Sequence, residues 1–386
     1  MDQTTSSAAV LPKSGERDRT ALEKLVFIFL TFLFLSPAQA VEFVRLGEFH
    51  WATKALVDNT RVGGLSGMTF KGDKVFMVSD DRGTEDEPRF YEFDFKKDKK
   101  VWKLENGVVH FVTLPKTNKL KEILDQEAII ALPSGNFLIS SEGDNNKKPR
   151  VPPRIYEVTP GGKWLRDIPL PPKVIPESTG QQKIGIGNNF GFEAVALSAD
   201  AQDLYFMSER PLIQDADVKD TVNRYRMIHY HSDGPSEKGK FAPTHEWYVE
   251  SLPPSDKPGI PLVRGWSEML GLGDLKFLVL ERSLKLVGGR QLFYECRLAE
   301  LDMTNASEVS KLAKLTVAPT LSPPLTPAKI VKIHNLATIP SENMGNCEGM
   351  AFGPATDEYK QTLWIVTDNN FSKTDDTVLY FYGVRN

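Results

Sequence analysis

Cysteine is scarce, with two residues in a chain of 386, and histidine is little commoner at six. That supply cannot build a disulfide scaffold or a cysteine-rich zinc module. Basic charge is not in excess either: 47 Lys and Arg stand against 51 Asp and Glu. A chain so balanced has no field to neutralise a phosphate backbone, and no nucleic-acid partner is expected. Nucleophile signatures are missing too. Neither Cys296 nor Cys347 begins a C-x5-R loop, which excludes a cysteine phosphatase. Gly64-Leu65-Ser66-Gly67 lacks the final glycine of a serine-hydrolase elbow. Gly185 to Phe190 breaks the dinucleotide fingerprint at its third glycine. His229 and His231 share one face of an outer strand, where a surface pair is expected before a metal site.

Long apolar runs are also lacking, apart from Leu25–Leu35, which spans 11 residues. It follows Lys24 and precedes Ala38-Gln39-Ala40. A short apolar core ending in A-x-A reads as a secretory signal at residues 1–40, cleaved after Ala40. Eleven residues are too few to span a bilayer comfortably, so no stable membrane span is expected after cleavage. The expectation is a secreted or periplasmic chain in which residues 41–386 form the folded domain. In an oxidising compartment Cys296 and Cys347 could form one disulfide, although sequence does not give their separation.

What the sequence has is repetition. Five segments share one grammar: GLSGMTFKGDKVFMVSDDR from Gly64, DQEAIIALPSGNFLISSEGD from Asp125, GFEAVALSADAQDLYFMSERP from Gly191, GWSEMLGLGDLKFLVLERS from Gly265, and NCEGMAFGP…LWIVTDNN from Asn346. Each opens on Gly, Asp or Asn, passes one residue, and reaches Ser or Glu. A short apolar strand, a turn and a second apolar strand follow, and the second strand ends in Asp or Glu. The leading positions Ser66, Glu127, Glu193, Ser267 and Glu348 lie 61, 66, 74 and 81 residues apart. Two further strand-like runs follow each of the first four units. Helical periodicity is almost absent, and Ser307–Leu315 is the best short helix candidate.

Four strands per unit, repeated radially, predict an all-β propeller of five four-stranded blades. The last unit shows three strands, so Val41–His50 is expected to supply the fourth and close the ring. A sixth, degenerate blade inside a long loop is the alternative.

If the first strand of each blade lines the channel, its start and the end of its antiparallel neighbour meet at one mouth. That predicts a rim of eight carboxylates: Asp80, Glu127, Glu142, Glu193, Glu209, Glu281, Glu348 and Asp368. Like charges so gathered need compensation. Oxygen-ligated Ca²⁺ is one source, Arg82, Arg210 and Arg282 just after closing carboxylates are another, and protonation of a few of the acids is a third. Cations and guanidinium forks together would receive a phosphate or another oxyanion. The plainer reading is that each carboxylate latches its own loop or pairs with a neighbouring arginine.

The segments from Asp125, Gly191 and Asn346 resemble the phytase-like propeller family described as having esterase-like activity of phytase. The resemblance runs from about Val41 to the C terminus and implies an exported, calcium-dependent phosphoesterase. In that reading Ca²⁺ held by Glu127, Glu193, Glu348 and the closing carboxylates polarises a phosphomonoester and activates water. The three arginines hold the non-reacting oxygens. The alternatives are a non-catalytic, calcium-stabilised binding propeller and a propeller lactonase, the latter acting on a small ester.

Overall fold

Middle strands buried on both faces read as continuous apolar runs, whereas outer strands alternate or turn polar. KVFMVS and DLYFMS are of the first kind, and VWKLENGVVHF of the second. The computed structural model describes residues 41–99, 101–114, 124–217, 222–234, 239–339 and 341–385. The proposed signal at residues 1–40 lies outside them.

Strand β1 (Glu42–Trp51) precedes a two-stranded ribbon, β2 (Leu56–Val57) and β3 (Thr60–Arg61). Blade 1 is β4 (Leu65–Lys71), β5 (Lys74–Ser79), β6 (Arg89–Asp98) and β7 (Val101–Phe111). Blade 2 is β8 (Gln126–Ala131), β9 (Phe137–Ser141), β10 (Arg154–Val158) and β11 (Trp164–Asp167). Blade 3 is β12 (Phe192–Leu197), β13 (Asp203–Ser208), β14 (Arg224–Ser232) and β15 (Phe241–Glu250). Blade 4 is β16 (Ile260–Gly273), β17 (Lys276–Val287), β18 (Gln291–Asp302) and β19 (Lys329–Asn335). Blade 5 is β20 (Asn346–Gly353), β21 (Gln361–Asp368) and β22 (Thr377–Arg385), with β1 as its outermost strand. The protein is therefore a five-bladed β-propeller closed by its N-terminal strand, and no sixth blade forms among the described residues.

Burial follows the seams between blades. Trp266 and Met269 of blade 4 pack with Met207 and Met227 of blade 3. Phe76 and Phe90 of blade 1 meet Phe137 and Tyr156 of blade 2. The closing seam joins Trp364 and Phe381 of blade 5 to Tyr91 and Trp102 of blade 1. Because each blade buries its faces on its neighbours, the chain needs no single large core. Between blades 4 and 5 a disulfide joins Cys296 on β18 to Cys347 on β20, with Cα atoms 6.2 Å apart.

The expected helix at Ser307–Leu315 does not form. Its backbone N–H groups find partners elsewhere: Val309 donates to the Glu246 carbonyl at 2.7 Å and Leu315 to Asp215 Oδ1 at 2.7 Å. Val309 and Leu315 are buried against Tyr248, so packing on the outer strand overrides helix propensity. His229 and His231 lie on β14 and each places a ring nitrogen 2.8 Å from Asp203 Oδ1.

Candidate functional site

The innermost strands share a device. In β4, β8, β12, β16 and β20 the pairing with the second strand slips by a residue at the leading position, Ser66, Glu127, Glu193, Ser267 or Glu348. A β-bulge leaves a residue unpaired and re-aims its side chain. Here Glu127, Glu193 and Glu348 line the mouth of the channel together with Asp80 and Asp368. The cavity measures about 460 Å³ and is also lined by Arg82 and Arg282.

Register identifies the closing position of each blade. Asp368 pairs with Asn346, and the Asp80, Glu142 and Glu209 N–H groups bond to the Gly64, Asp125 and Gly191 carbonyls. In blade 4 the residue opposite Gly265 is Arg282, not Glu281. Glu281 is one residue out of register, and a slip of one turns a side chain to the other face. It is buried with Arg297 and Arg264, which pair with it, so it acts as a latch away from the rim carboxylates. Arg210 also leaves the mouth: its guanidinium stacks 4.8 Å from the ring centre of Phe190.

Seven of the eight expected carboxylates do converge, and Asp125 joins them. Asp125, Glu127 and Glu142 are all buried and each offers an oxygen within 4.8 Å of the others. No donor reaches Asp125 Oδ1, Glu142 Oε2, Glu193 Oε2 or Glu348 Oε2. Buried carboxylate oxygens so placed must share a proton or a cation. Burial pushes Glu127 well above the usual carboxylate range, and Glu142 and Asp125 beside it push further. Asp80, Glu142 and Glu193 are raised for the same reasons, burial first and neighbouring carboxylates next. Glu348 rises to about 8 through burial, partly offset by Arg282. Asp368 rises to about 6 through burial, opposed by the backbone N–H of Asn370.

Two arginines punctuate the ring. Arg82 Nη2 is 2.6 Å from Asp125 and also donates to Asn189. Arg282 reaches Glu348 at 2.9 Å, Glu209 at 2.5 Å and Asn346 Oδ1 at 2.7 Å. The loop carrying Arg82 is fixed by Asp81, which accepts from Thr84 and Asp86 N–H and from Arg89 Nη1 at 2.7 Å. Glycine makes room for the acids. A Cβ at Gly191 would stand 2.7 Å from Glu142 Cγ, and one at Gly265 would stand 2.6 Å from Glu209 Cγ. One serine lead behaves differently from the glutamates: Ser267 Oγ donates to the Cys347 carbonyl at 2.9 Å and ties blade 4 to blade 5.

Asp125 and Asn346 are the site residues that sequence reasoning missed. The available signal was a polar residue where the other three units open on glycine.

Fold and repeat define a phytase-like propeller. The family model described as "Esterase-like activity of phytase" matches residues 60–371, and the chain belongs to that phytase-like family. No curated protein matches it. Among solved structures it is similar to an α-L-arabinanase of Penicillium chrysogenum complexed with arabinobiose, at 8% identity and a TM-score of 0.40, covering 88% of this chain and 97% of that one. It is also similar to the mannose phosphorylase MPT-4 of Leishmania mexicana in complex with phosphate ion, at 11% identity and a TM-score of 0.40, covering 94% and 92%. A glycosyl hydrolase of Bacteroides ovatus matches at 9% identity and a TM-score of 0.43, covering 83% and 84%. Likenesses this distant carry no argument about chemistry.

Proposed function

We propose that the chain is an exported, calcium-dependent phosphoesterase acting on phosphomonoesters at the acidic mouth. The carrying observation is the Asp125, Glu127 and Glu142 group, with unsatisfied oxygens beside a cavity that also presents two guanidinium groups. This donor set fits a hard cation: it is anionic, all oxygen and multidentate, as Ca²⁺ prefers. Asp125, Glu127 and Glu142 would hold the ion, with Glu193 and Glu348 within the same rim. When bound, calcium supplies Lewis-acid polarisation of a phosphoryl oxygen and makes water a better nucleophile.

The chain's own groups do the rest. Arg82 is half-exposed and can turn a free edge of its fork to a phosphate oxygen. Arg282 holds Glu209 and Glu348 in place. Hydrolysis breaks the ester P–O bond and forms a P–O bond to water. The proton lost by water needs an acceptor near neutrality, and Asp368, raised to about 6 by burial, lines the cavity. It can pass that proton to the leaving alcohol. Export is supported by the A-x-A leader and by the disulfide between Cys296 and Cys347. No helix among the described residues is long and apolar enough to cross a membrane.

A second reading, a binding propeller whose cation only stiffens the ring, is favoured by one observation. Both Nη groups of Arg282 are taken by Glu209, Glu348 and Asn346, which leaves the exposed Arg82 as the freer fork. The test is turnover of a chromogenic phosphomonoester and of a lactone, with calcium and with a chelator. Calcium-dependent phosphomonoester turnover is expected. Lactone turnover alone would move the protein to a carbonyl chemistry. No turnover of either, with a chelator-sensitive melting temperature, would leave the binding propeller.

A further inference from the structure

Blade 4 does not stop at the rim. Strand β16 begins at Ile260, seven residues before Ser267, and β17 continues to Val287, five beyond Arg282. With the start of β18 these segments project past the mouth as a three-stranded wall, roughly 15–20 Å high at strand rise.

The period of two fixes what each face carries. One face bears Lys285, Phe293 and Glu295 and is covered by the preceding segment. Lys285 Nζ lies 2.7 Å from Ser255 Oγ, and Lys257 Nζ sits 5.4 Å from the ring centre of Phe293. The opposite face has Gly265, Arg282 and Cys296 as its bottom row. Above them run two apolar rows across all three strands: Val263, Leu284 and Tyr294, then Ile260, Leu286 and Leu292. Ile260 is 66% exposed and Leu292 51%. This face borders the acidic cavity, because Arg282 at its foot lines that cavity and reaches Glu348, and Cys296 beside it is bonded to Cys347.

We infer that this wall receives the apolar part of the substrate, so the substrate is an amphiphile: a phosphomonoester carried on an alkyl or aryl chain. The inference rests on the proposed reading of the mouth and names its substrate class. A compact polyanion gains nothing from the wall, since the two rows offer it no cation or hydrogen-bond donor except the Tyr294 hydroxyl. An ester group at the rim, by contrast, places its chain along the rows without leaving the site.

The test is calorimetric titration of the full mature chain with methyl, butyl and octyl phosphate, in calcium-containing buffer and below the micelle concentrations. A methylene fully removed from water is worth about 0.8 kcal/mol, and a one-sided wall captures about half of that. Affinity is expected to rise about twofold per methylene, roughly a hundredfold from methyl to octyl. Leu284→Ser combined with Leu292→Ser should abolish most of that gain and leave methyl phosphate unchanged. Leu292→Ser alone, at an exposed position, serves if the pair does not fold. A flat series, or a gain that survives the substitutions, overturns the inference. So does a wild-type dimer in sedimentation that the substitutions turn into a monomer, because the wall would then be a subunit seam. Binding is read without turnover, so a chain that binds octyl phosphate but hydrolyses nothing defeats the phosphoesterase reading and leaves the wall's role standing.

Discussion

Arg282 stands 2.9 Å from Glu348 across the seam between blades 4 and 5, at the ring position that in the other four blades is a carboxylate. One cation thus serves Glu209, Glu348 and, at 4.0 Å, Glu193. The ring is left with too many acids for its own bases, and the excess gathers on the far side, around Asp125, Glu127 and Glu142.

Removing that cation should be costly. Arg282→Gln leaves Glu209 and Glu348 buried without their partner, and breaking a buried pair typically costs about 3–5 kcal/mol. Urea unfolding of the metal-free variant should show a loss of that order.

Glu127→Gln should act in the opposite sense. It removes one of three mutually repelling acids, so the metal-free variant should melt no lower than the wild type. Its calcium-induced rise in melting temperature should vanish. A purely structural latch would instead lower the metal-free melting temperature.

Glu281 separates latch from ligand. Its carboxylate accepts from Arg297 Nε at 2.9 Å and faces Arg264, away from the mouth. Glu281→Ala should therefore destabilise the chain by about 3 kcal/mol or more while leaving calcium affinity unchanged. A large loss of calcium affinity in a folded variant would return Glu281 to the rim.

The ring was legible in the sequence because each blade repeats the same physical problem: a bulged start, two apolar strands and a polar turn. Ring closure was legible because blade 5 is one strand short and Val41–His50 has strand composition. What sequence could not settle was register. Glu281 and Arg282 are adjacent, and only the pairing of Arg282 with Gly265 decides which of them faces the mouth. Asp125 was hidden for a related reason: its position tolerates Gly, Asp or Asn, so its acidity looked incidental. The Ser307–Leu315 segment failed as a helix because Val309 and Leu315 are claimed by Tyr248 of a distant strand.

The metal-free protein should lose stability as pH rises. A carboxyl whose folded pKa exceeds its unfolded value binds more protons when folded, so stability falls through the window between the two. Burial places Asp368 at about 6 against 3.8 and Glu348 at about 8 against 4.5. Melting temperature without calcium should therefore decline between about pH 4 and about pH 8, and added calcium should restore most at the upper end. A metal-free melting temperature that climbs across this range would contradict the raised values.

Anomalous diffraction from crystals grown with calcium tests the central claim most directly. A peak bounded by oxygens of Asp125, Glu127 and Glu142 is the predicted result. A mouth with no peak, at a calcium concentration that raises the melting temperature, would place the ion elsewhere and contradict the account.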